Sequence, residues 1–186
     1  YFGVNTKALP FLETEFGWSP SMLGWIGVAY LIAYALGQFS TGWAGNRYGP
    51  RAVLLGGMAI SIACNLWFGL GPGVAVFIAV MTLNGLVQAS GWSNNVGTMA
   101  NWFHRGQRGT VMGVWATNFQ VGGVAATALA SWAASAWGWR ASFFTGAGVL
   151  ALVWVFFLFN QRDRPRDVGL PPVRDPAEPA GHPAPE

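Results

Sequence analysis

From Phe16 to Gln161 the chain carries no carboxylate, and the only formal charges there are five arginines, Arg47, Arg51, Arg105, Arg108 and Arg140. A water-facing surface cannot be clothed so sparsely over that length, so the solvent for most of this polypeptide is lipid. Composition agrees, with 53% hydrophobic residues against 9% charged, far from the balance of a soluble domain. The pI near 9.5 does not signal nucleic acid, because the basic residues form small clusters between apolar runs instead of one basic face. A single cysteine, Cys64, excludes an internal disulfide framework and a cysteine-based zinc site. Nothing in the pattern calls for a metal or another cofactor.

Apolar runs lie at 22–45, 52–70, 74–100, 109–135 and 143–159, each close to the roughly 20 residues that a helix needs to cross a hydrocarbon core. Backbone polar groups in lipid must be satisfied within their own segment, and the alternation of a membrane barrel is absent, so these runs are expected to be helices. With the partial apolar stretch at the start they make six membrane helices, the first truncated. The expected fold is therefore an all-α membrane bundle over residues 1–160, in contact with the lipid bilayer. Residues 161–186, rich in proline and charge, read as a disordered cytoplasmic tail or linker.

Arg47 and Arg51, Arg105 and Arg108, and Arg162, Arg164 and Arg166 all fall on one side of such a bundle. The other side holds Glu13, Glu15, the uncharged 71–73 turn and Arg140 alone. The positive-inside rule then gives a multi-pass protein of the cell (inner) membrane with its tail in the cytoplasm. Trp18, Trp43, Trp102, Trp137 and Trp139 sit near span ends, where indoles rest at headgroup level.

Polar side chains inside lipid are expensive unless they face another helix or a wet cavity, so their angular placement is informative. Tyr30, Tyr34 and Gln38 recur every four residues on the second span; Asn84, Gln88, Trp92 and Asn95 share a face of the fourth; Thr117, Asn118 and Gln120 lie on the fifth. The third and sixth spans carry few polar groups and read as peripheral. The set is expected to line a polar interior together with Lys7 on the first span, although each residue alone can also bridge neighbouring helices. Lys7 has two readings, a cation for an anionic ligand or a side chain snorkelling to the headgroups beside Glu13 or Glu15. Gly109, Gly113, Gly122, Ala126, Ala130 and Ala134 form a small-residue ridge where helices can approach closely.

The segment Gly42-Trp43-Ala44-Gly45-Asn46-Arg47-Tyr48-Gly49-Pro50-Arg51 resembles the signature between the second and third helices of the major facilitator superfamily. Gly42, Arg47, Gly49 and Arg51 match it, and Asn46 stands where the family has Asp. The resemblance implies a cytoplasmic gate built on this motif. Gln88, Gly91-Trp92, Asn101-Trp102-Phe103, Arg108-Gly109, Val114-Trp115, Val121-Gly122-Gly123 and Gly169-Leu170-Pro171-Pro172 further resemble the organophosphate:phosphate antiporter branch. What this implies is the N-terminal six-helix half of a twelve-helix carrier, whose missing C-terminal six-helix half supplies the other wall of a midplane cavity.

Members of that branch place an arginine on the first helix where Phe2 stands, and a histidine on the fifth where Phe119 stands. In this chain Lys7 is the candidate replacement cation, with Asn118 or Gln120 as hydrogen-bond donors and Gln88, Trp92 and Trp115 as retained cavity residues. The reading is a secondary active transporter of a small organic anion working by alternating access, with a phosphate ester exchanged for phosphate as one candidate substrate, and not an enzyme. A monocarboxylate carrier of another branch and a non-transporting membrane sensor are the alternatives.

Overall fold

The computed structural model describes residue 13 and residues 17–70 and 73–173. Lys7 and the expected first span lie outside the described residues. The helices are α1 (Pro20–Tyr48), α2 (Pro50–Gly69), α3 (Val74–Gln88), α4 (Ser90–Trp102), α5 (Arg105–Trp137) and α6 (Trp139–Asn160), followed by a 3-10 turn, Pro165–Val168. Only Ala89 separates α3 from α4, so the two stack into one column and the described residues form five columns. Four of these, α1, α2, α3 with α4, and α6, are long and apolar enough to cross a membrane. The fifth, α5, is the longest helix at 33 residues, but glycine, alanine, threonine and amides replace its large aliphatics.

The five later expected spans are present among the described residues, each beginning or ending within a few residues of its expected bounds. Ser19 Oγ accepts the Met22 N–H at 3.3 Å and Pro20 starts α1, a position where the missing proline donor costs nothing. Gly49 (φ 90°) and Gly138 (φ 86°) each join two helices alone, using backbone angles that glycine adopts without strain. Connections this short force neighbouring columns to run antiparallel.

Apolar burial does not drive helix association in lipid, so packing and interhelical hydrogen bonds carry it. Glycines set the closest approaches. A Cβ on Gly37 would collide with the Leu86 carbonyl and Ala89, one on Gly57 with Ser90 and the Val87 carbonyl, and one on Gly85 would lie 2.5 Å from the Tyr30 carbonyl oxygen. These positions press α1 and α2 against the α3–α4 column. The expected ridge on α5 is used at its far end, where Ala130, Ala133 and Ala134 are buried and Ser142 Oγ of α6 donates to the Ala130 carbonyl at 2.8 Å.

The two ends of the bundle differ in chemistry. At one end Phe68, Phe77 and Phe143 meet with centroids 4.6–6.5 Å apart, and Trp18 and Trp139 pack onto them. This corrects the expectation for Trp18 and Trp139, which are 7% and 5% exposed and serve as core where α1, α3 and α6 begin or end together. Trp43 and Trp137 are exposed as expected.

The opposite, arginine-rich end is closed by hydrogen bonds, and here the expected tail begins differently. Residues 161–165 are docked: Trp102 Nε1 donates to the Arg162 carbonyl at 3.0 Å, Asn101 Nδ2 to the Asp163 carbonyl at 3.1 Å, and Pro165 is buried. Proline and charge suggested disorder, but the backbone carbonyls of this segment find donors at the end of α4. Residues 174–186 lie outside the described residues.

Candidate functional site

The polar residues divide into three groups. The first is a relay in the middle of the bundle. Tyr30 Oη (α1) donates to Gln88 Oε1 (α3) at 2.7 Å, Gln88 Nε2 donates to Ser61 Oγ (α2) at 3.1 Å, and Ser61 Oγ donates to Asn84 Oδ1 (α3) at 2.8 Å. Asn65 Nδ2 adds a 2.6 Å bond to the Ser61 carbonyl. Each hydroxyl or amide donates in the same direction, an arrangement in which neighbouring bonds polarise one another. Asn65 and Asn84 are completely buried, and their remaining atoms, Asn65 Oδ1 and Asn84 Nδ2, have no partner among the described residues.

This differs from the expected stripe. Asn84 does not line an open space; it is turned onto α2, because Gly57 and Gly85 let the helices close around it. The apparently peripheral α2 supplies Ser61 and Asn65 to the relay. Tyr34 stacks on Tyr30 with ring centroids 6.2 Å apart and is half-buried, as is Gln38 one turn on. Thr41 Oγ1 lies 3.2 Å from Ser93 Oγ, and Asn94 Nδ2 bonds the Ser90 carbonyl at 3.0 Å beneath Gly45. The α1 stripe thus continues as a polar seam against α4.

The second group joins α4 to α5. Trp92 and Trp115 pack with centroids 4.8 Å apart at 56°, Trp92 remaining 44% exposed. Asn95 is half-buried and returns its Nδ2 to the Gly91 carbonyl at 2.7 Å. Thr117 bonds its own helix at the Val114 carbonyl, while Asn118 and Gln120 are exposed. The structure therefore brings together Tyr30, Gln88 and Asn84, and separately Trp92 and Trp115, and leaves Asn118 and Gln120 apart from both.

The third group is the motif at the arginine-rich end. Asn46 and Arg47 are exposed, with the Arg47 guanidinium 5.7 Å from the Trp43 ring and 5.8 Å from Tyr48. Gly42 sits against Ser93 and contributes closeness rather than chemistry. Arg51 turns inward: its Nη2 donates to the Leu158 carbonyl at 2.6 Å, and its backbone N–H donates to Asp163 Oδ1 at 2.6 Å. Arg108 reaches back from α5 to the Phe103 and Ala100 carbonyls at 2.9 and 2.8 Å. Both guanidiniums satisfy carbonyls at helix C-termini, where cations are favoured.

Gly49 combines a left-handed φ of 90° with Asp163 Oδ2 lying 2.7 Å from where a Cβ would be. Gly49→Ala is therefore expected to cost about 1–3 kcal/mol, read as a lowered thermal-unfolding midpoint of the detergent-solubilised protein.

Among the described residues every Lys and Arg sits near a helix end, the carboxylates are Glu13, Asp163 and Asp167, and no cluster of metal-binding side chains occurs. The middle of the bundle offers hydroxyls, amides and indoles, groups that recognise a ligand by hydrogen bonds and stacking. Sequence reasoning missed Ser61, Asn65, Ser93 and Asn94; the four-residue spacing of Ser61 with Asn65 and of Ser90 with Asn94, together with the neighbouring glycines, was the signal that marked close contact.

Comparison with known proteins follows this geometry. The Major Facilitator Superfamily profile matches residues 2–184. The chain is 31% identical over 169 residues to "Probable hexose phosphate transport protein" of Chlamydia muridarum, covering 90% of this chain and 37% of that one. It is 37% identical over 174 residues to human "Glucose-6-phosphate exchanger SLC37A1", covering 86% and 32%. A Xenopus laevis "Glucose-6-phosphate exchanger SLC37A2" is 34% identical over 175 residues, covering 91% and 34%. The chain thus spans about a third of the length of the curated relatives it matches.

Proposed function

The chain belongs to the Major Facilitator Superfamily, and on that footing we propose that it is the N-terminal bundle of a secondary transporter exchanging a small phosphate ester for phosphate. The relatives named as hexose-phosphate and glucose-6-phosphate carriers support the substrate class. The observation that carries the reading is the chemistry of the mid-bundle surface: hydroxyls, amides and the Trp92–Trp115 pair, with no carboxylate among the described residues from 17 to 161 to repel an anion or shuttle a proton. A six-helix partner half would supply the other wall, and rocking of one half against the other would expose the cavity to each side in turn. In this reading Lys7 is the cation for the phosphate, Tyr34, Gln38, Asn118 and Gln120 hydrogen-bond the ester, and the arginine-rich end faces the cytoplasm of a cell-membrane protein.

The test is counterflow by the full-length protein in phosphate-loaded liposomes. Uptake of labelled hexose phosphate is expected, with Lys7→Gln raising the KM on the order of tenfold, as loss of a charge-assisted contact does. Absence of counterflow with every phosphate ester offered overturns the reading.

A further inference from the structure

The arginine-rich end holds a carboxylate that neither the gate motif nor the transport reading uses. α2 begins at Gly49-Pro50 with no side-chain cap, so the first N–H groups of that helix lack a partner of their own. Asp163, 112 residues away in sequence, supplies it by accepting the Arg51 N–H at 2.6 Å. The same residue's carbonyl accepts from Asn101 on α4, and the Arg51 guanidinium completes the circuit at the Leu158 carbonyl in the last turn of α6. The carboxylate thus meets the positive end of one helix while the guanidinium meets the negative end of another. Gly49 leaves the space that Asp163 Oδ2 fills, and Trp102 pins the neighbouring Arg162 carbonyl.

We propose that Asp163 is a positioning residue that clasps the arginine-rich ends of α2, α4 and α6 into one body, so that this half rocks as a unit. The segment leaving the bundle is then the strap of the gate. The transport arm of this proposal rests on the function proposed above; the clasp itself does not.

The experiment uses the full-length protein in lipid nanodiscs and liposomes, with Asp163→Ala and Asp163→Asn. In the Ala variant, amide hydrogen exchange in the peptide containing Arg51 is expected to rise roughly tenfold, as loss of a charged cap implies. The maximal phosphate exchange rate is expected to fall several-fold at unchanged KM. The Asn variant, which keeps an acceptor oxygen, is expected to restore most of both. Unchanged amide exchange in Asp163→Ala overturns the clasp. An unchanged maximal rate, or a changed KM, overturns its role in gating. A protein that exchanges no phosphate ester defeats the transport reading separately, and the amide measurement still decides the clasp.

Discussion

Gly85→Val is expected to destabilise the protein by about 3 kcal/mol, the upper end for overpacking a tight interior. The added atoms have nowhere to go. Even a Cβ would lie 2.5 Å from the Tyr30 carbonyl oxygen and 3.1 Å from the Tyr30 ring, and backbone cannot rotate aside as a flexible side chain can. α1 and α3 must separate along their whole contact. Because Tyr30 is the element pushed, the displacement also pulls its hydroxyl from Gln88. The control is Gly56→Val, on an exposed face of α2 with nothing within 4 Å. Thermal unfolding of the two variants in detergent should separate them by many degrees, and equal midpoints would show that the α1–α3 contact is looser than described.

Gln88→Leu is the second change with a large expected effect, and it acts on the site directly. Gln88 accepts from Tyr30 and donates to Ser61, so leucine removes the central link while keeping similar bulk. Interhelical hydrogen bonds in membranes average roughly 0.6 kcal/mol each, and stranding a buried polar partner adds to that. A stability loss of about 1–2 kcal/mol is expected from these terms, with exchange activity falling roughly tenfold because Tyr30 and its stacked neighbour Tyr34 lose their fixed orientation. Tyr30→Phe cuts only the first bond and is expected to lie between wild type and Gln88→Leu in both assays. Wild-type exchange by Gln88→Leu would remove the relay from the transport site.

The helices were legible because hydrocarbon thickness imposes a length and lipid forbids charge, constraints that every span meets without regard to its neighbours. Tyr30, Tyr34 and Gln38 were legible for a similar reason, since their four-residue repeat is local. What α2 contributes was not. Ser61 and Asn65 are a single four-residue pair in an otherwise apolar helix, too short a repeat to mark a polar face, and their meaning comes from Asn84 and Gln88, more than twenty residues away. Asn84 shares a sequence face with Gln88, yet the structure turns it onto Ser61 of α2, because a face of a helix can be read from sequence but not what covers it. Trp18 and Trp139 show the same limit from the apolar side: an indole near a span end suits a headgroup or a core, and only the convergence of three helices decides for the core. Asp163 was hidden by its distance along the chain from Arg51 and by prolines that signalled disorder.

The single-glycine turns at Gly49 and Gly138 constrain how this molecule can be probed. An inserted epitope, fluorescent domain or protease cassette at either corner would have to be threaded through a junction with no slack, forcing apart helices that glycine alone allows to turn back on themselves. Sidedness is better mapped with point labels, for which the exposed positions 46 and 166 on the arginine-rich face are natural cysteine replacements. Fusion reporters placed within the bundle would report on the damage done by the insert.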